Sequence, residues 1–390
     1  MKGFDFINTI KSEQLNKTDR AVINALVISL FLSYAVTIAT LAVVFFMLLI
    51  NKRMRGLAFN KTSAILLALV STVGGATAIA YKNWLGVLGM FGIAVILTVG
   101  QYIASVSTRQ VFTETIDLIC SLAPVAALTT VGEFIILFIK DAAELRSGII
   151  LYLHPNYLGT VAAIIAVLCV YRFFTNNQHR LRYIISGICC LICIVLTGSM
   201  FAYIEMTVAA FVMLLCCRKW KSLAIFSICI VIAAGAVYFI PELIPRLEQA
   251  DSSLSQRISI WEASVELFKQ TPLFGQGVLS YMHVQTTVGT VGGIKMFVTP
   301  HAHSVLLDSL INFGIIGTSL LVIYTVAVWG KSAAAVMKNM KSLDAALIIG
   351  ILAGVIVHGI VDVTLMWVQP GLIFMIVMGS SSFLRKEKTA

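Results

Sequence analysis

The sequence predicts an all-α integral membrane protein, on three observations. Hydrophobic residues fill 59% of the 390 positions and charged residues 12%, outside the range of soluble domains. Apolar runs of about 17–25 residues recur along almost the whole chain, each long enough to cross roughly 30 Å of hydrocarbon as a helix that satisfies its own backbone. Among the stretches between them only 241–303 is long. No separate soluble domain is left over.

The elements follow in order. The polar start MKGFDFINTIKSEQLNKTDR leads into an apolar run that ends in NKRMR with no small-residue cleavage site, so it reads as a first span and not as a cleavable signal peptide. The runs lie near 24–50, 62–80, 84–104, 115–139, 157–174, 183–199, 201–217, 222–240, 304–328, 343–360 and 364–384, predicting 11–12 transmembrane helices. The chain thus divides into N-terminal helices over 1–240, a loop over 241–303, and C-terminal helices with a tail over 304–390.

Charge orients this array. The formal charge of +10 comes from basic residues scattered between spans, as in NKRMRG, YRFFTNNQHRLR and RKWK, which is the positive-inside pattern and not a nucleic-acid patch. The long loop then faces outward. Eleven crossings also send the N-terminus outward, against its own Lys2, Lys11, Lys17 and Arg20. Either the charge bias fails at the first helix or an early span is miscounted, with the long 24–50 run and the Pro124-bearing run the two suspects.

All eight cysteines fall in apolar runs, where thiols act as small packing groups, so no disulfide framework or cysteine metal site is read. No internal repeat stands out. Buried ionisable residues are few: Glu133, Glu205, His358 and Asp362 fall within or near spans, fewer than an ion relay usually needs.

A loop of this length between two spans is expected to be functional. Leu254, Ile258, Trp261, Val265 and Phe268 recur at helical spacing, predicting an amphipathic helix with Ser252, Ser253 or Ser255 as N-cap and Thr271-Pro272 as stop. Such a helix lies on the membrane surface or on the bundle. In PLFGQGV, Gly275 and Gly277 allow tight turning or close approach of a ligand. Arg257 on this helix, like Arg146 and Arg246, offers a planar fork of donors suited to phosphate oxygens, or simply a solvated charge.

The segment VTPHAHSVLLDSL holds His301 and His303, two of only six histidines, at the mouth of the next span. Three readings are open for them. They join His283 and Asp308 around a metal, they are polar caps to the helix, or they carry acid–base chemistry, for which an imidazole titrating near neutral pH is suited.

QRISIWEASVELFKQTPLFGQGV followed by HAHSVLLDSLINFGIIG resembles the signature region of the O-antigen ligase and O-antigen polymerase-like superfamily. RSGIILYLHPNYLG and HGIVDVTLMWVQPGLIFMIVMG are similar to further stretches of that family, so that the likeness runs over residues 146–384. Two positions depart from it. Ser304 stands where the family usually has Asn, and Met200 replaces an arginine, so no role is carried onto Met200.

The resemblance implies a multi-pass glycosyltransferase of the bacterial cytoplasmic membrane, with an outward-facing site, no metal and no cofactor. Its partners would be an undecaprenyl-pyrophosphate-linked oligosaccharide, membrane lipid and other polysaccharide assembly proteins. It assigns His303 as the base, His301 as its support and Arg257 to the pyrophosphate, with Arg146, Arg246 and Lys295 behind it. The implied reaction is polymerisation of lipid-linked repeat units. The alternatives are ligation of the glycan to a lipid A core or another cell-wall acceptor and, from a different class, transport or flipping of lipid-linked sugars.

Overall fold

The computed structural model describes residues 17–140, 142, 145–239 and 250–386. Apart from one two-stranded hairpin, the regular structure is helical, as an apolar chain that must satisfy its backbone internally requires. Among the described residues eight helices are long and apolar enough to cross a membrane, nine when one bent pair is taken as a single span, and two further apolar helices have 17 residues each, Met200–Cys216 and Leu343–Gly359.

The 24–50 run is not one span. It forms α1 (Lys17–Ser29) and α2 (Tyr34–Ile50), separated by a turn, with Ser33 accepting a hydrogen bond from the Val36 amide to start α2. α2 then bends by 105° into the short α3 (Lys52–Ala58). The other suspect is intact: α6 (Arg109–Ile139) continues through Pro124.

This split bears on which end of the bundle the N-terminal segment occupies. At the start of α1, buried Asp19 accepts two hydrogen bonds from Arg53 at 2.8 and 2.9 Å, and Arg20 pairs with Glu114 near the start of α6. Residue 30, at the other end of α1, lies by the opposite rim, where its carbonyl and that of Leu151 both accept from Gln369. The described N-terminal end therefore shares the basic end of the bundle with Arg53 and Arg109. Read as a separate traverse of the bundle, α1 places the described N-terminal end beside the basic loops, the parity the positive-inside pattern calls for.

The remaining passes alternate. They are α4 (Lys61–Ala80), α5 (Trp84–Val106), α6, then the one-turn α7 (Ile149–Tyr152) and α8 (Pro155–Thr175), α9 (Arg180–Thr197), α10 (Met200–Cys216) and α11 (Trp220–Phe239). Partly buried ion pairs tie the basic end together: Arg172 with Asp117 at 2.6 Å and Arg109 with Asp344 at 2.9 Å. Glu133, a candidate for ion relay by its burial, instead accepts the amides of Gly148 and Ile149 at 2.8 and 3.0 Å and anchors α7.

The long segment between α11 and the next span folds, over its described residues, as α12 (Ala250–Gln270), α13 (Ser280–Thr287) and a hairpin of β1 (Thr290–Val291) and β2 (Ile294–Lys295). The stop before Pro272 is as the sequence predicts, but Ser253 and Ser255 lie inside α12 and do not cap it. The buried face also differs. Leu254, Ile258 and Val265 are exposed, whereas Ile260, Ala263 and Leu267 pack on Tyr281, Val291 and Met296. α12 thus has two apolar faces, one against its own loop and one exposed.

α14 (Val305–Lys338) is kinked at Gly314, whose φ of 62° and ψ of −171° interrupt the helix. The turn PLFGQGV fills that kink: the Ile315 and Ile316 amides donate to the Pro272 and Leu273 carbonyls, while the Gln276 and Gly277 amides donate to the Ile311 and Asn312 carbonyls. A Cβ on Gly275 would sit 2.5 Å from the Asn312 carbonyl carbon, and one on Gly277 2.5 Å from Ala78 Cβ. The close approach those glycines permit is of protein backbone, not of a ligand. After α15 (Leu343–Gly359) the chain turns through 360–367 into α16 (Val368–Ser380) and α17 (Phe383–Lys386), so the last span starts four residues later than the sequence suggests.

Candidate functional site

His301 and His303 sit where the long loop meets α14, and the buried carboxylate of Asp362, from the turn after α15, comes up to both. Asp362 Oδ1 lies 3.3 Å from His303 Nδ1 and 3.7 Å from His301 Nε2. The His303 contact is at ion-pair distance without a well-aligned hydrogen bond. His303 Nε2, on the far edge of the ring, is 3.0 Å from the Thr299 hydroxyl.

The backbone is arranged to hold these rings. His303 has φ of 49°, a left-handed conformation that a non-glycine residue keeps only when its surroundings fix it. Two hydrogen bonds do so: Trp261 Nε1 of α12 donates to the His303 carbonyl at 3.1 Å, and Asp308 Oδ1 accepts the Ala302 amide at 2.9 Å. Asp308 Oδ2 accepts from Asn312 Nδ2 at 2.8 Å, and Asn312 Oδ1 accepts from the Ser280 amide and hydroxyl. Ser304 occupies the N-cap of α14 but makes no side-chain capping bond, so its hydroxyl does not take over the role of an asparagine there.

Asp362 is itself held. Its Oδ2 accepts from Asn156 Nδ2 at 2.8 Å, its Oδ1 accepts from the Val363 amide at 2.8 Å, and Arg146 Nη2 donates to Asn156 Oδ1 at 2.9 Å. Asn156 is placed by the start of α8, where His154 Nδ1 accepts the Asn156 amide and Pro155 opens the helix. Burial pushes the Asp362 carboxyl up, but the adjacent His303, then His301, hold it well below the usual carboxylate range. Burial pushes the His301 imidazole down to about 3, Asp362 opposing the shift. A neutral His301 beside an ionised Asp362 is the arrangement these environments favour.

Arg257 lies on α12 one turn before Trp261, stacked 4.7 Å over the Phe201 ring, and its charge also lowers the affinity of His301 for a proton. Phe201 stacks in turn on His358, whose Nδ1 is 2.6 Å from Glu205 Oε2. Arg146 also donates to the Thr197 carbonyl at 2.9 Å.

Of the residues singled out from the sequence, the fold brings His301, His303 and Arg146 into one network and Arg257 beside it. Lys295 is exposed on β2, and among the described residues no hydrogen bond or ion pair joins it to the histidines. Arg246 lies outside the described residues. Sequence reading missed Asn156 and Thr299, and it noted Asp362 only as a buried acid. His283 and Asp308 are not partners in a metal cage with the histidines: His283 Nε2 meets the Tyr81 carbonyl at 2.9 Å, and Asp308 serves the backbone. The set whose ligand atoms converge is instead His301, His303 and Asp362, within 4.8 Å of one another, and these three have the donor types that could hold a divalent cation.

Chemically, an imidazole with an ionised carboxylate at one nitrogen and a threonine hydroxyl at the other is held in the orientation of a general base, once an incoming hydroxyl takes the place of Thr299 at Nε2. Two arginines nearby supply fixed positive charge for a leaving anion.

Residues 185–322 match the family model described as O-antigen ligase, consistent with the O-antigen ligase and polymerase-like superfamily. The matched segment contains Arg257, Trp261, His301 and His303, but it leaves out Arg146, Asn156 and Asp362. No curated protein matches the chain.

Proposed function

We propose that this O-antigen ligase and polymerase-like membrane protein extends a polysaccharide by joining undecaprenyl-pyrophosphate-linked repeat units on the outer face of the bacterial cytoplasmic membrane. The acceptor hydroxyl oxygen attacks the anomeric carbon of the donor glycan, and His303 Nε2 takes the hydroxyl proton. The bond from the anomeric carbon to the pyrophosphate oxygen breaks, and its electron pair leaves on the pyrophosphate. Arg257 and Arg146 compensate that charge. His301, uncharged, packs beside the base.

The observation that carries this reading is Asp362 against His303 Nδ1 at 3.3 Å, because it leaves Nε2 as the nitrogen that accepts a proton and stabilises the imidazolium that forms. The basic end shared by α1, Arg53 and Arg109 supports the outward placement of the opposite end under the positive-inside rule. Ligation to a lipid A core or another wall acceptor would use the same bond changes and differ only in the acceptor offered.

The test is reconstitution of the full chain with lipid-pyrophosphate-linked repeat units. Chain growth that disappears in His303→Ala and drops in Arg257→Lys supports the reading. Glycan crossing the bilayer with no new bond would overturn it in favour of transport. A chelator should leave growth intact; reversible loss on chelation would turn His301, His303 and Asp362 into metal ligands.

A further inference from the structure

The candidate base is not sealed from solvent: 21% of the His303 side chain is exposed, against 7% for His301. A base beside a sugar that departs from pyrophosphate meets water as well as sugar hydroxyls, and water is by far the more abundant. Transfer without waste requires that the base be withheld from water until an acceptor is in place.

Thr299 stands where such a device is needed. Its hydroxyl is 3.0 Å from His303 Nε2. With Asp362 at Nδ1 the ring proton sits on that side, so Nε2 accepts from Thr299 and its lone pair is occupied. A second acceptor lies within reach of the same hydroxyl, the His301 carbonyl at 3.4 Å. Redirected to that carbonyl, the Thr299 proton stays satisfied while Nε2 is given up to an incoming hydroxyl. The surrounding strap, residues 297–300, is anchored at both ends. Met296 is buried against the loop core and donates its amide to the Gly289 carbonyl, and His301 is buried. Phe297 and Val298 between them are exposed, and Pro300 disfavours helical backbone at Thr299.

We propose that Thr299 decides between sugar hydroxyl and water: it caps His303 Nε2 until an acceptor, held by more contacts than water can make, displaces it. The inference rests on the glycosyl-transfer reading and adds a specificity-determining residue to it. In the reaction so suppressed, a water oxygen attacks the anomeric carbon and His303 Nε2 takes one water proton. The bond to the pyrophosphate oxygen breaks with its electron pair on the pyrophosphate, leaving a free reducing glycan and the lipid pyrophosphate.

The full chain is reconstituted with lipid-pyrophosphate-linked repeat units, and transferred glycan is measured beside free, unphosphorylated reducing glycan. Thr299→Ala removes the hydroxyl and opens Nε2, so the ratio of free to transferred glycan should rise roughly fivefold to tenfold, the effect of one neutral hydrogen bond. Thr299→Ser restores the hydroxyl and should bring the ratio back toward that of wild type. Adding His303→Ala to Thr299→Ala should abolish the extra release, because the same base activates the water. An unchanged ratio in Thr299→Ala, while wild type transfers glycan, overturns this inference alone. Equal loss of transfer and release in Thr299→Ala also overturns it, since the hydroxyl would then serve the chemistry itself and not the choice of acceptor. A wild type that transfers no glycan removes the glycosyl-transfer reading and this inference with it.

Discussion

Asp362 Oδ1 stands 3.3 Å from His303 Nδ1, although one residue comes from the loop before α14 and the other from the turn after α15. The carboxylate is oriented from behind by Asn156 and by the Val363 amide, so it presents a fixed charge to one edge of the ring. Asp362→Asn preserves shape and removes that charge. Chain growth should fall on the order of 10²–10³-fold while the protein still purifies as a folded species. An initial rate within about threefold of wild type would separate Asp362 from the chemistry.

Trp261 acts one step further out. Its indole N–H fixes the carbonyl of His303, which sits at φ of 49°, so Trp261→Phe keeps the aromatic bulk and loses one hydrogen bond. A net loss of about 1 kcal/mol in positioning corresponds to a rate lowered roughly fivefold to tenfold, with little change in thermal stability. Equal losses of rate and stability would mean that Trp261 serves only packing.

These two contacts indicate what could be read from the chain alone. His301, His303, Arg257 and Trp261 lie in short local patterns, and the helical, multi-pass character follows from apolar run length. Asp362 and Asn156 meet across separate helices, and no periodicity records such a contact. The stripe through Leu254 and Ile258 is exposed because α12 carries a second apolar face, through Ile260, Ala263 and Leu267, and that is the one packed on its own loop. The break at 30–33 was hidden for a different reason: the second half of α1, the turn residues Leu30–Leu32 and α2 are all apolar, so the turn leaves the hydrophobic run unbroken.

The split of that run predicts topology. With Asp19 bonded to Arg53 and Arg20 paired with Glu114, the start of α1 shares an end with the basic loops. A reporter fused before residue 1 should be protected from an outside protease, as should one after residue 390. Accessibility of the N-terminal reporter from outside would restore a single first crossing.

Gly314 tests the loop's seat on the bundle. A Cβ there would lie 2.3 Å from the Leu273 carbonyl carbon, in backbone at φ of 62°. Gly314→Ala should destabilise by more than about 2 kcal/mol, since both the clash and the left-handed backbone count against it. Gly132→Ala, with open space around the new methyl, is the matched control and should be near neutral or stabilising. Thermal unfolding in detergent reads both, and equal melting temperatures would show that the kink yields.

His301 makes stability depend on pH with a definite sign. Burial holds its folded pKa near 3, against 6.5 for the exposed ring. Between those values the unfolded chain binds a proton that the folded chain refuses. The folded state therefore keeps its full advantage above about pH 6.5 and loses it progressively as the pH falls toward 3. Asp362 acts in the same direction at the acidic end, because its folded pKa is depressed as well. The melting temperature in detergent should drop from pH 7 to pH 5, and His301→Gln, which cannot take up a proton in either state, should flatten that slope. An unchanged slope in His301→Gln would move the acid sensitivity to other groups and leave His301 without the neutral role assigned to it.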